Sequence, residues 1–236
     1  MAGTIIIHEF GHLVAAKKLG IPVLEFSVGF WKKLAGIKIK DTEINLRILP
    51  LGGFVRPDEE ALAAAPTWKR ILILLAGPVM NLAAAVAVLA IGIFCIYASQ
   101  VPLANLPQLL LIGIQQGFVL VGEIIKLTGT ALAGEGVNAL SGPVGYVASA
   151  GAAQDVSALT GLIVAAALSV GIGLFNLLPI PPLDGGQIVL AVLGKLLKPE
   201  TRKRAVYTGF FLLILVGVSL VIFDVWRLTT GTFPGL

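Results

Sequence analysis

Apolar residues run almost unbroken through four stretches of the chain, with the polar residues gathered between them. Residues 2–16, 71–97, 158–183 and 205–223 read as membrane-spanning helices. The first is short against the ~20 residues a helix needs to cross hydrocarbon. Trp68-Lys69-Arg70 precedes the second as an interfacial anchor, and the third carries no charge until Asp184. The fourth ends against Asp224 and Trp226-Arg227. Between the first two lies a different texture. Val23-Leu24-Glu25-Phe26-Ser27-Val28 and Glu43-Ile44-Asn45-Leu46-Arg47-Ile48 partly alternate apolar with polar and are rich in β-formers. Residues 23–56 therefore predict a small sheet of three or four strands, on the membrane surface or dipping into it; a solvated hairpin fits the same pattern. Residues 106–133 are long enough to span but carry Gln115, Gln116, Glu123 and Lys126.

The distribution of charge bears on that last segment. Of the 17 Lys and Arg residues, ten fall between Lys17 and Arg70 and five between Lys195 and Arg204. Both clusters lie on one side of the membrane if 106–133 does not cross, and the positive-inside rule makes that side cytoplasmic. Residues 106–133 are accordingly expected to form an amphipathic helix on the outer surface. The same count puts the inner end of the first span, and the end of the third at Asp184, on one side.

Composition agrees with the pattern. Hydrophobic residues make up 57% of the 236 and charged residues 13%, against about 25% charged in a soluble domain. An all-α polytopic membrane protein is expected, one domain over residues 1–236 with about four transmembrane helices and no detachable soluble part. Nucleic acid is not an expected partner, since the basic residues form no stripe with interleaved aromatics. Trp31, Trp68 and Trp226 suit an interfacial belt, and Lys17-Lys18 and Arg202-Lys203-Arg204 suit solvated charges that set orientation. Cys95 is the only cysteine, so no internal disulfide can form. No cleaved leader is expected, because polar residues interrupt the first apolar run and no basic region precedes it.

Those interrupting residues are His8-Glu9-Phe10-Gly11-His12, and they include both histidines of the chain. Histidines four apart on a helix are offset by about 40°, so both rings share a face. Two imidazoles with a glutamate beside them make a zinc-binding and general-base arrangement. In an apolar segment such groups are expensive unless they have work to do. Catalytic zinc takes three protein ligands and keeps one position for water. Asp184 is the only acidic residue in 158–194 and could be the third, although before Gly185-Gly186 it could equally cap a helix or make a turn. Pro179, Pro181 and Pro182 must break the third span just before it.

His8-Glu9-Phe10-Gly11-His12 together with Asn176-Leu177-Leu178-Pro179-Ile180-Pro181-Pro182-Leu183-Asp184-Gly185-Gly186 resembles the site-2 protease family of intramembrane zinc metalloproteases. Further matches are Phe26-Ser27-Val28-Gly29-Phe30, Leu51-Gly52-Gly53-Phe54-Val55, Gly77-Pro78-Val79-Met80-Asn81 and Ser141-Gly142-Pro143, nearest in kind to the bacterial envelope-stress branch. The resemblance implies that His8, His12 and Asp184 bind Zn2+, that Glu9 is the general base and that Asn176 assists catalysis at the scissile carbonyl. It implies a membrane-reentrant β-element at 23–56 that holds an extended substrate strand. Gly52, Gly53, Phe54 and Asn81 are then candidates for substrate binding, though Asn81 suits an interhelical hydrogen bond as well. The implied function is intramembrane proteolysis in the inner membrane, with the active site toward the cytoplasm. The implied substrates are single-span membrane proteins or signal-peptide remnants. A non-proteolytic zinc-binding adaptor is the alternative; a metal transporter ranks last, since spans two and four lack interior ionisable residues. Two departures stand out. Only seven residues precede His8, and residues 98–108 lead directly into the 106–133 segment where relatives of that branch carry PDZ domains.

Overall fold

Helix α1 (Ala2–Lys18) ends with Lys17 and Lys18 in its last turn, where cations meet the negative pole of the helix. Gly20 then takes a left-handed conformation (φ +77°), and the amides of Gly20 and Ile21 return to Lys17 and Ala16 carbonyls, closing the helix in the manner favoured by glycine. These helix ends and those below belong to a computed structural model that describes residues 2–132 and 158–230.

The β-prone region forms two long strands, β1 (Val23–Ile39) and β2 (Thr42–Pro57), paired antiparallel from Ile39↔Thr42 outward. Both strands bend. Phe26 consequently has Val55 on one edge and Ile44 on the other, and Ser27 has Phe54 and Asn45. Gly29 allows the fold: its φ is +91°, and a side chain there would press on the carbonyls of Leu49 and Arg47. The sheet holds a buried carboxylate. Glu25 accepts from Asn45 Nδ2 at 2.8 Å and pairs with Arg47 and Arg56. The sheet meets α1 through Leu13, Ala16, Ile21, Val23 and Phe26, with Ile73 from the helix that follows completing the cluster.

A short helix α2 (Glu59–Ala64), capped by the Asp58 carboxylate, leads into α3 (Thr67–Tyr97), the axis of the molecule. The other α-helices of the described residues are α4 (Leu106–Leu132), α5 (Ala158–Asn176), α6 (Asp184–Val192) and α7 (Pro199–Thr230). α1, α4 and α5 all pack on α3. Small residues set the close approaches: Gly113 of α4 faces the Ala90 carbonyl and Gly117 the Val86 carbonyl, while Gly173 of α5 faces Pro78 and Asn81. Ala85, Leu89, Val121, Ala166 and Val170 fill the contact. Helices in lipid gain little from hydrophobic association, so such tight backbone packing supplies the attraction.

Among the described residues, four helical stretches are long and apolar enough to cross a membrane: Thr67–Gln100, Leu103–Leu127, Ala158–Asn176 and Pro199–Thr230. The number matches the expectation and the membership does not. α1, about 25 Å long and interrupted by His8, Glu9 and His12, is not one of them. The 103–127 stretch is one, and it does not lie flat across the end of the bundle. Gly113 opposite Ala90, Gly117 opposite Val86 and Ile125 beside Val79 show α4 running lengthwise and antiparallel to α3. Its glycine face, rather than its few polar residues, sets its orientation. α5 also runs antiparallel to α3, with Leu162 against Gly92 and Gly173 against Pro78.

Candidate metal centre

α1 presents His8 and His12 to α3 across two glycines. A side chain at Gly11 would strike the Ala76 backbone and lie 2.9 Å from Met80 Cβ; one at Gly77 would lie 2.6 Å from His8 Nε2 and overlap His12 Nε2. The rings stand edge to face, centroids 4.8 Å apart.

The third donor arrives from a broken helix. α5 stops at Asn176, and the next residues turn through short-range bonds such as Ile180 N to Leu178 O (2.8 Å) and Leu183 N to Ile180 O (3.0 Å). α6 then begins on Asp184 and folds back on that turn. Gly185 and Gly186 permit it, because side chains there would collide with the backbone of Leu177, Ile180 and Pro181. Asp184 Oδ2 comes to 2.9 Å from His8 Nε2 and 3.3 Å from His12 Nε2. Tetrahedral zinc with arms of about 2.0–2.1 Å has ligand–ligand edges of about 3.3–3.4 Å; the three donor atoms lie within 4.8 Å of one another, so modest side-chain rotations bring them to that spacing. His8, His12 and Asp184 are the group of donors that could hold a metal among the described residues.

Neighbouring groups orient both rings. His12 Nδ1 donates to the Ile73 carbonyl at 2.7 Å, which leaves the Nε2 lone pair facing Asp184. Asn81 lies 3.3 Å from His8 Nδ1 through its Nδ2, and its Oδ1 is buried with no partner among the described residues. Turned by 180°, that amide would accept from His8 Nδ1–H and free Nε2 for a metal. Asn81 is fully buried, its carbonyl accepting from Ser169 Oγ at 2.9 Å.

Glu9 takes a separate position. Its Oε2 accepts from the Val55 amide at 3.1 Å, and its Cγ passes close to Gly53. Val55 and Gly53 belong to the arm of β2 that pairs with β1 through Phe26 and Val28, so this arm lies between the sheet and the glutamate. A cavity of about 410 Å³ opens on the site, lined among others by Glu9, His12, Asp184, Val55, Arg70 and Gln187.

The expected residues divide accordingly. His8, Glu9, His12 and Asp184 converge, and Gly53 adjoins Glu9. Asn81 backs His8 from the protein interior rather than facing the cavity. Phe54 stacks on Phe30 (6.3 Å) under the Arg47 guanidinium (5.3 Å), and Phe30 also covers Gly52. Asn176 donates to the Ile172 carbonyl of its own helix at 2.9 Å and does not line the cavity. The Val55 amide and the Ile73 carbonyl escaped sequence reading because they act through the backbone, which every residue shares.

The profile of peptidase family M50 matches residues 1–216. A Clostridium perfringens protein bearing a zinc metalloprotease name is 29% identical over 318 aligned positions, covering 94% of this chain and 95% of that protein. A similarly named Clostridium acetobutylicum protein is 41% identical over 100 positions, covering 39% of this chain and 28% of its own length. Zinc metalloprotease Rip1 of Mycobacterium tuberculosis is 37% identical over 93 positions, 34% of this chain and 23% of its own length. The 318-position alignment exceeds the 236 residues here, so the Clostridium perfringens protein has residues without counterparts in this chain.

Proposed function

Since this chain belongs to peptidase family M50, the site-2 protease family of membrane zinc metalloproteases, we propose that it cuts peptide bonds inside membrane-spanning segments of other membrane proteins. His8, His12 and Asp184 are the zinc ligands in this reading, and Glu9 is the general base. One observation carries it: three donor atoms meet at ligand spacing beside an unligated glutamate, on an open cavity. A purely structural zinc site closes its fourth position with protein and has no use for a base, which disfavours a zinc-holding adaptor.

Zinc held by these residues would supply Lewis acidity and lower the pKa of a water to about 7. Glu9 accepts that water's proton and delivers it to the leaving amine. Asn81 and the Ile73 carbonyl keep both imidazoles in the ligating tautomer. A helical substrate shields its own amides and must first unwind. The β2 arm at 53–55, paired with β1 on one edge and turned to Glu9 on the other, can hold the unwound segment by β-augmentation. This assigns residues 23–56 to a membrane-reentrant element.

Both basic clusters gather at one end of the bundle, where Arg70 and Arg202 line a common cavity. In this reading that end is cytoplasmic by the positive-inside rule, and the site faces the cytoplasmic side of the inner membrane. Single-span proteins and signal-peptide remnants are the fitting substrates.

The test is cleavage of a labelled single-span peptide by the purified protein, with and without a chelator. Wild type cuts and the chelator stops it. Glu9→Gln retains zinc without cutting, whereas His8→Ala loses both. A Glu9→Gln variant that still cuts removes the mechanism.

A further inference from the structure

A second cavity, of about 330 Å³, lies at the basic end of the bundle between the first turns of α3 and α7 and the side of α6. Arg70, Arg202, Lys203, Tyr207, Gln187 and Leu190 line it. The sequence assigns Arg202 to solvent, yet here it is only partly exposed. Its guanidinium lies on Gly194, where a side chain would overlap it, and its Nε is buried without a hydrogen-bond partner among the described residues. Packing therefore holds this cation in place. Among the described residues no carboxylate comes within ion-pair distance of Arg70, Arg202 or Lys203. Arg70 and Arg202 instead act on each other as like charges.

Two guanidinium groups partly withdrawn from water and lining one cavity repel, and an anion between them relieves both. Guanidinium forks match phosphate oxygens two at a time. Location selects the source of the phosphate. Immediately beyond the cavity α3 and α7 turn apolar, and Leu72, Phe210 and Phe211 stand exposed on their surfaces. A ligand with a charged head at Arg70 and Arg202 would thus have hydrocarbon surface for its tails. Basic pockets between membrane helices hold anionic headgroups in this way.

We propose that this cavity binds the phosphate of an anionic phospholipid. Arg70 and Gln187 also line the cavity that contains Glu9 and Asp184, so the lipid would sit against the wall of the metal centre. This assignment does not depend on proteolysis.

Native mass spectrometry of the full chain, equilibrated with phosphatidylglycerol or phosphatidylcholine, tests it. Wild type is expected to retain one phosphatidylglycerol in preference to phosphatidylcholine. Arg202→Gln should weaken that preference about fivefold, the effect of roughly 1 kcal/mol per cation near an anionic headgroup, with Arg202→Lys in between. The melting temperature reports folding, and Lys203→Gln, on an exposed side chain, replaces Arg202→Gln if that variant melts early. Equal retention of the two lipids, or an unchanged preference in the folded variants, overturns the proposal. Displacement by an acidic peptide, or binding of glycerol phosphate as tight as that of the lipid, overturns the assignment to a lipid.

Discussion

At the scale of single residues, Gly77 and Asn81 separate the stability of the fold from the competence of the site. Alanine is about 1 kcal/mol better than glycine inside a helix, but Gly77 is buried and overpacking costs about 1–3 kcal/mol, so Gly77→Ala should leave the melting temperature unchanged or a few degrees lower. Its methyl group would nonetheless occupy the space of His8 Nε2 and His12 Nε2, and zinc content measured by elemental analysis should fall to background. Asn81 acts through His8. Removing a group that orients a ligating histidine typically costs 10–100-fold in metal affinity, and Asn81→Ala should show about that loss in chelator competition. Wild-type affinity in either variant would mean that the imidazoles are held by something else. The HExxH motif is legible in sequence because its spacing places both rings on one face. The partner of His8 was not, since Asn81 satisfies an interhelical hydrogen bond and a metal-site support equally well until its neighbour is known.

At the scale of elements, the bent sheet delivers a backbone amide to Glu9. Proline is tolerated where a strand's N–H points away from its neighbour, and the Val55 N–H points to Glu9. Val55→Pro is therefore expected to lower kcat for peptide cleavage and, because residues 53–55 are also the proposed substrate edge, to raise KM, while leaving zinc content nearly unchanged. A raised KM alone would instead assign Val55 to substrate binding. The sheet has its own pH limit. Burial alone would raise the Glu25 carboxyl, but Arg47, Asn45 and Arg56 hold it below the usual glutamate range. The unfolded chain then takes up the proton at higher pH than the native one. Sheet stability is full above the ordinary glutamate value and is lost as pH falls through the native value. Hydrogen-exchange protection at Ile44 and Val55 should follow that course, and Glu25→Gln should flatten it. Strand pairing was only partly readable: alternation identified β-forming segments, but the bends that give Phe26 two partners depend on which strands meet at Gly29.

At the scale of the whole molecule, the direction of α4 is the informative departure. Charge distribution favours a 106–133 segment that does not cross, yet α4 lies lengthwise along α3, and α4 and α5 both run antiparallel to it. Arg70 of the first basic cluster and Arg202 and Lys203 of the second nonetheless line one cavity. Cysteine mapping on a Cys95→Ser background checks the arrangement. Thr130→Cys and Lys17→Cys should react with an impermeant thiol reagent from the same face, and Gln100→Cys from the other. Thr130→Cys reacting alongside Gln100→Cys would restore the outer surface helix.

Some features were decided by local covalent geometry and composition. The rotation per residue of a helix puts His8 and His12 on one face, three prolines in four residues end a span before Asp184, and so few charges among so many apolar residues demand a bilayer. These hold for any packing of the chain. Tertiary structure decided the rest: that Asp184 rather than a distant turn meets the histidines, that Asn81 stands behind His8, that α4 lies along α3, and that Arg70 and Arg202 share a cavity. Each depends on which surfaces fit across dozens of intervening residues, and several use backbone groups or glycines, whose identity along the chain does not reveal what they will touch.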